Sequence, residues 1–355
     1  MLEKVCHIGP GFAVQGGISS VLVCYKKLFN LPEGNFIESY NGSFVRSLPV
    51  LLKVCLKLLF FPSKKFAFYQ IHTSSYGSFY RKYLISRCLR FRGKKYTAHI
   101  HGSQFDKFCD EASPLLKWML KDYFRHAERV LILSSEMKGI VQSVDPSIEK
   151  FTTIPNPGAD ITDAPVDLDA HELPVKIIFS GRFGKRKGVY DLIDAFSKAN
   201  FSVPVKLSLF GDGEVDQVRA AVKESPKCRD ISVSSWVVHS EYVKMLPKYD
   251  LLVLPSYAER FSMSLVEALG FGLPAISTFV GGTAEVVKDG ECGILCEPGD
   301  IQALTRALEK LVNDKALRVS MGRAGWERAH SCFSGSVVLQ KLEQVYQDLA
   351  ASEAG

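Results

Sequence analysis

Gly181-Arg182-Phe183-Gly184-Lys185-Arg186-Lys187-Gly188 sets four cations among three glycines, between an apolar strand pattern and a helical one. Glycines let a backbone approach a ligand closely, and the helix that follows turns free N–H groups and a positive dipole end toward an anion. Arg182 can fork onto phosphate oxygens, and Lys187 adds a point charge. Together they would neutralise a diphosphate without a metal. Farther along, Glu259-Arg260-Phe261-Ser262-Met263-Ser264-Leu265-Val266-Glu267 places two carboxylates around a helix start, with Ser262 or Ser264 as its N-cap. A carboxylate accepts two hydroxyls of a vicinal diol, so one Glu on the loop and one on the helix suit the two diols of a sugar ribonucleotide. Ser264-x-x-Glu267 also matches a capping box, in which Glu267 only caps the helix. Both readings of Glu267 stand at this point, whereas Glu259 has no such local explanation.

Weaker motifs surround these. Gly281-Gly282-Thr283-Ala284-Glu285 allows close backbone approach or an ordinary turn, and Gly211-Asp212-Gly213-Glu214 reads as a structural strand-end turn. Gly9-Pro10-Gly11 and Gly16-Gly17 follow the first strand and resemble a phosphate loop. Val14 breaks G-x-G-x-x-G, and no acid follows at the spacing a dinucleotide site needs. His101 ends a strand before Gly102 and could donate a hydrogen bond to a sugar hydroxyl or a developing charge; His72 and His99 offer less. Asp167-Leu168-Asp169 lies in a linker with no strand before it and reads as a solvated turn.

These residues need rigid elements to hold them. Strand patterns at 4–8, 36–40, 66–71, 96–100, 129–133 and 151–154 alternate with helical ones, which predicts a parallel sheet covered on both faces. Pro155-Asn156-Pro157-Gly158 stops that run, and the stretch to Pro174 has no period. A second alternation follows, with strands at 175–179, 205–210, 231–234, 251–254 and 275–277. The expected fold is α/β with two doubly wound, Rossmann-like domains, 1–165 and 172–330, and a cleft between them. A last helix over 333–352 would pack back on the first domain. In such sheets ligands bind at the carboxyl ends of the strands.

Charge is unevenly spread. The first hundred residues carry fifteen Lys or Arg against Glu3, Glu33 and Glu38, a surplus of twelve, although the whole chain of 355 residues is only +6. Arg81, Lys82, Arg87, Arg90, Arg92, Lys94 and Lys95 crowd one helix and its exit, interleaved with Tyr76, Phe79, Tyr80, Tyr83 and Phe91. Lys53, Lys57, Lys64 and Lys65 accompany the apolar stretch 48–61, which is too short to span a bilayer. Such a helix suits an anionic membrane interface or is a core helix with a solvated basic face. No nucleic-acid module is visible. Nine scattered Cys without a Cys-x-x-Cys pair fit a reducing cytoplasm and exclude a disulfide framework, and the polar start is no signal peptide.

Taken in order, Gly181-Arg182 to Lys187-Gly188, Gly211-Asp212-Gly213, Glu259-x7-Glu267, Gly281-Gly282-x-x-Glu285, Gly290-x-x-Gly293 and Pro298-Gly299-Asp300 resemble the retaining GT-B glycosyltransferases of family four, the glycosyl transferases group one. The second half carries the resemblance; the first half joins it only at Gly16-Gly17 and His101-Gly102. The resemblance implies that Arg182 and Lys187 hold the donor diphosphate and Glu267 the ribose. It implies that Glu259 contacts the donor sugar near the reacting carbon, and that backbone amides of Phe261, Ser262 and Met263 help bind sugar or phosphate. His101 would contact the donor sugar, and Gly17, beside Gly16, would bring its amide to the phosphate. The family retains anomeric configuration, needs no metal or other cofactor, and is thought to act by front-face attack. Arg260, Ser262 and Met263 depart from the usual Gly, Gly and Leu, which leaves the donor sugar open.

The expectation is therefore a hexosyltransferase acting on a nucleotide-sugar donor, UDP-linked before GDP-linked. The acceptor would be a lipid-linked oligosaccharide in exopolysaccharide, capsule or O-antigen assembly. The enzyme would be cytoplasmic and peripheral on the inner face of the plasma membrane, with no nucleic-acid partner. A nucleotide-sugar epimerase of the same fold and a non-catalytic nucleotide-sugar binding protein are the alternatives. The broken glycine fingerprint disfavours a dinucleotide oxidoreductase.

Overall fold

The structure, a computed structural model, describes residues 1–14, 17–42, 44–61, 63–102, 104–158 and 161–352, with backbone alone at 44–46. The chain forms two compact units, Met1–Pro157 with Gly335–Gly355, and Gly158–Ser334. The first runs β1 (Val5–Gly9), α1 (Gly17–Leu28), β2 (Phe36–Glu38), α2 (Phe44–Phe60), β3 (Phe68–Thr73), α3 (Gly77–Phe91), β4 (Lys95–Ile100), α4 (Phe105–Asp110), α5 (Pro114–Arg125), β5 (Arg129–Ile132), α6 (Glu136–Val144) and β6 (Phe151–Thr153). The second runs β7 (Val175–Ser180), α7 (Val189–Lys198), β8 (Val205–Phe210), α8 (Val215–Glu224), β9 (Ile231–Ser234), α9 (His239–Met245), β10 (Leu251–Leu254), α10 (Met263–Gly270), β11 (Ala275–Thr278), α11 (Thr283–Val286), β12 (Gly293–Cys296), α12 (Ile301–Asn313) and α13 (Lys315–Phe333). The last helix, α14 (Gly335–Ala351), returns to the first unit.

Each unit holds one six-stranded sheet, β2-β1-β3-β4-β5-β6 and β12-β11-β10-β7-β8-β9, with the paired strands parallel throughout. Parallel sheets survive only when helices cover both faces, so their strands read as unbroken buried runs. β1, β3 and β10 are buried at every position. Strand order reverses between β1 and β3 in the first sheet and between β7 and β10 in the second. At each reversal the connections leave to opposite faces and open a crevice at the carboxyl ends.

The linker expected up to Pro174 is not one. The division falls after Pro157, and 161–174 packs as part of the second unit. Thr162 N donates to Gly270 O at 3.1 Å and Val166 N to Phe271 O at 2.8 Å. Carbonyls at the end of α10 have no helical partner of their own, and this irregular segment supplies donors for them. Trp326 Nε1 in turn donates to Thr162 O at 2.8 Å. Backbone bonding of this kind leaves no side-chain period in a sequence. Asp167 does sit in a turn, its Oδ1 accepting from Asp169 N at 3.1 Å.

Helix α14 closes the core of the first unit. Val338, Leu342, Val345, Tyr346 and Leu349 form one stripe at helical spacing and pack with Tyr25, Phe29, Phe68 and Leu131. The Tyr346 hydroxyl donates to Gln70 Oε1 at 2.9 Å and lies 2.9 Å from Thr97 Oγ1, whose proton it accepts. A chain ending at Ser334 would open this core while leaving every residue of the second unit in place. Limited proteolysis of that truncation should cut within 1–157 and spare 158–334. Equal resistance of both segments would show that α14 is dispensable.

Candidate functional site

In the second unit the connections after β7 and β10 flank the sheet reversal, and they are bound to one another. Tyr257 N donates to Arg186 O at 2.8 Å, and Arg186 Nη1 donates to Ala258 O at 3.2 Å. Gly188 adopts φ +69°, and a Cβ there would overlap the carbonyl oxygen of Pro255, so only glycine allows this approach. Phe183 pairs with the 211–214 turn through Phe183 N to Asp212 O at 2.6 Å, which braces the basic loop from the far side.

This crossing brings Lys187 and Glu259 together. The Lys187 ammonium donates to Glu259 Oε1, and Ser256 Oγ donates to the same oxygen at 3.0 Å. Both charged side chains are largely buried, with 14% and 8% exposed. Glu259 is also held from behind. Gly281, at φ +52°, lies so close that a Cβ would overlap the Glu259 carbonyl oxygen, and Gly282 N donates to Arg260 O at 3.1 Å. The Gly281-Gly282 pair is thus the backing of the Glu259 loop. Thr278 Oγ1 donates to Ser256 O at 2.5 Å and fixes the strand end beneath it. Arg182 is exposed beside the 211–214 turn, its Cγ 3.1 Å from the Cβ position of Gly213.

The structure decides against the capping box at Glu267. Helix α10 begins at Met263 with Ser262 as N-cap, so Ser264 is the second helical residue and Glu267 the fifth. A capping-box acid belongs at the third position. Ser262 makes no side-chain cap bond and instead lies 3.2 Å from Ser264 Oγ. Glu267 is buried, with its Oε1 3.7 Å from His239 Nδ1. Burial, then the Glu267 charge, pushes the Tyr242 hydroxyl well above its usual range. Phe261 is buried edge-on against Phe333 at 5.5 Å, and Met263 is half-buried.

In the first unit, Gly17 opens α1 with free space where a side chain would stand. Gly16 lies outside the described residues. His101 follows β4 and is 4% exposed, its Nε2 3.1 Å from His72 Nδ1. Burial holds its imidazole neutral by lowering its pKa well below the ordinary value, with His99 adding to the effect. Among the described residues, His72, His99 and His101 bring one ring nitrogen each within 4.8 Å of one another, a spacing that could hold a metal ion.

The basic face expected on α3 is corrected. Lys82 is not on it: it lies on the buried stripe with Phe79, Ile85, Ser86 and Leu89. Its ammonium donates to Ser39 Oγ, and Ser39 donates to Gly9 O at 2.8 Å. Burial, then the Arg81 charge, pushes Lys82 down to about 7. Arg87 and Arg90 are tied to Asp122 Oδ2 at 3.3 and 2.7 Å, and Arg81 stacks 4.5 Å from the Tyr40 ring centre. Arg92 is exposed, and Lys94 and Lys95 are half-buried. The exposed apolar surface lies on α2 instead. Leu48, Leu52, Leu56 and Phe60 recur every fourth residue at 46–69% exposure, with Lys53 and Lys57 beside them. Leu51, Val54 and Leu58 face inward. This stripe, like Ser256, Thr278 and His239, does not stand out in the motifs of the sequence. The four-residue spacing was its signal; which apolar stripe is buried depends on packing.

Residues 160–328 match the family described as glycosyl transferases group 1. The chain is 30% identical over 195 residues to N-acetyl-alpha-D-glucosaminyl L-malate synthase of Bacillus anthracis, covering 54% of this chain and 50% of that protein. It is 29% identical over 181 residues to the capsular polysaccharide biosynthesis glycosyltransferase CapM of Staphylococcus aureus, covering 50% of this chain and 47% of that one. It thus spans about half the length of the curated relatives it matches. The crystal structure of Anabaena Alr3699/HepE in complex with UDP-glucose superposes with a TM-score of 0.76 at 17% identity, covering 97% of this chain and 99% of that one. The fold is GT-B, two units each built on a six-stranded parallel sheet.

Removing Lys187 would leave the Glu259 carboxylate buried without its counter-ion. Lys187→Met should cost about 3–5 kcal/mol in chemical denaturation of the second unit, and adding Glu259→Gln should recover most of it. A loss below about 1 kcal/mol would mean that the pair is solvated, like a surface ion pair.

Proposed function

We propose that the chain, whose residues 160–328 match the glycosyl transferases group 1 family, transfers a hexose from a nucleotide diphosphate sugar to a growing, polyprenyl-diphosphate-linked oligosaccharide with retention of configuration. UDP is the favoured nucleotide, GDP the second. The observation that carries the donor half is the buried Lys187–Glu259 pair at the β7/β10 reversal. A diphosphate arriving there offers Lys187 a stronger anion than one carboxylate, and Arg182, exposed on the same loop beside the 211–214 turn, would fork onto the same group. Glu259 then turns its released carboxylate to the hydroxyls of the sugar. Glu267, displaced from any capping role, takes the ribose diol. His101 contributes a neutral imidazole to the donor sugar, and Gly17 an amide to the phosphate.

The charge that develops on the departing diphosphate is stabilised by these pre-placed cations, which is electrostatic catalysis in a site that needs little reorganisation. The reading takes no metal and no cofactor, because Arg182 and Lys187 supply the positive charge. Support for UDP comes from the solved neighbour, whose structure is a complex with UDP-glucose. Support for surface-polysaccharide assembly comes from the capsular relative.

The acceptor half rests on α2. Its exposed Leu48, Leu52, Leu56 and Phe60 with Lys53 and Lys57 have the make-up of a helix lying in an anionic membrane interface, where a lipid-linked acceptor is presented. No helix among the described residues is long and apolar enough to cross a membrane. The chain would act peripherally, on the cytoplasmic face.

Arg182→Ala should weaken UDP binding by about 10- to 100-fold in calorimetry, the value of one charged hydrogen bond. Glu259→Gln should keep UDP binding and lower transfer by about 10²- to 10³-fold, as loss of one charge-stabilising contact does. Unchanged UDP affinity in the first variant would move the diphosphate elsewhere, and donor turnover without acceptor would favour an epimerase. Leu52→Glu with Leu56→Glu should abolish co-flotation with phosphatidylglycerol vesicles while leaving the melting temperature unchanged, since both side chains are exposed. Flotation equal to the parent chain would remove α2 from the membrane.

A further inference from the structure

His7 on β1, His72 on β3 and His101 at the end of β4 stand in file inside the first unit. His7 Nδ1 lies 3.3 Å from His72 Nε2, and His72 Nδ1 lies 3.1 Å from His101 Nε2. The rings of His72 and His101 stack with centres 5.3 Å apart. Burial lowers all three imidazoles, so that they are neutral at pH 7; His7 falls to about 3. Besides the other histidines, Lys82 is the charged group that acts on His72, and it lowers it further.

A neutral imidazole has one N–H and one lone pair. His72 bonds through both nitrogens, so the two bonds of the file must run in the same direction. If they run from His101 toward His7, the last proton sits on His7 Nε2. That atom is buried without a partner, and an unmet buried N–H is among the rarest defects in folded proteins. If they run the other way, His7 Nδ1–H donates to His72 Nε2, and His72 Nδ1–H donates to His101 Nε2. His7 Nε2 is then an unmet acceptor, the cheaper defect, and His101 keeps its own proton on Nδ1.

We infer that His7 and His72 are positioning residues that fix His101 in the Nδ1–H tautomer, so that it meets a ligand hydroxyl as a hydrogen-bond donor. The tautomer follows from the file alone; only the identity of the hydroxyl as one on a donor sugar rests on the function proposed above. Which nitrogen of a histidine carries the proton is set by the bond its other nitrogen makes, and here that bond is made two strands deep. His99 stands beside the file without entering it. Its Nδ1 is 2.9 Å from Gln70 Nε2, and Gln70 Oε1 accepts from Tyr346, so the Gln70 amide N–H donates to His99 and the His99 proton sits on Nε2, equally for both directions of the file, which leaves the choice between them to His7. A metal shared by His72, His99 and His101 would take a His72 lone pair that the file commits to His7.

The test is nitrogen-15 NMR of the histidine side chains in the full chain. His101 should show a protonated Nδ1 and a bare Nε2, unchanged between about pH 6 and pH 8. His72→Leu should release that preference and lower kcat with little change in donor KM. His72→Gln, whose amide N–H can donate to His101 Nε2, should restore both. A protonated Nε2 on His101 in the parent chain overturns the inference, as does the same tautomer persisting in His72→Leu, or one equivalent of zinc bound with loss of the pattern. Should the chain transfer no sugar, the tautomer result still stands and only the proposed function falls.

Discussion

Every paired strand in the two sheets runs parallel to its neighbour, and the arrangement of the residues that matter follows from that. A parallel pair cannot be joined by a tight turn, so each connection crosses back through a helix and each sheet presents its carboxyl ends on one side. Where the order reverses, two connections face each other across a crevice. In the second unit these are the basic loop after β7 and the glutamate loop after β10, and their meeting produces the Lys187–Glu259 pair. In the first unit the strands on either side of the reversal, β1 and β3, carry His7 and His72.

The Lys187–Glu259 pair balances charge within the site. A cation and a carboxylate buried together satisfy each other, and neither is left as an uncompensated charge. Ligand binding on the proposed reading is then an exchange of partners within a fixed frame, with Gly188 and Gly281 holding the two backbones at distances that no side chain tolerates. The frame is rigid where it matters because its tight points are backbone against backbone.

Much of this was legible in the chain itself. The alternation of strand and helix patterns, the helix packing back from the end, and the glycine-spaced charges on their loops all appear in the structure. Lys187 and Glu259 each stand out in a local motif; their contact spans 72 residues and depends on β10 lying next to β7, which no local pattern encodes. The segment 161–174 looked like a linker because its attachment to α10 is made by backbone groups. Lys82 looked like a surface charge because a long side chain on a helix is read as solvated, whereas here Ser39 receives it inside. Glu267 was ambiguous until the helix start at Met263 set its position.

Helix α14 supplies side chains to a core whose other members lie between Leu2 and Ile154, and the contact between Thr97 and Tyr346 spans 249 residues. Domains generally fold as units during synthesis, the first-made before the next. Here the order is inverted. When Ser334 emerges from the ribosome, every residue of the second unit has been made. The first unit, translated earlier, still lacks one wall of its core. Until α14 arrives, nascent chains carry an open apolar surface, the state most exposed to chaperones and to aggregation, and that interval ends only when α14 has been made.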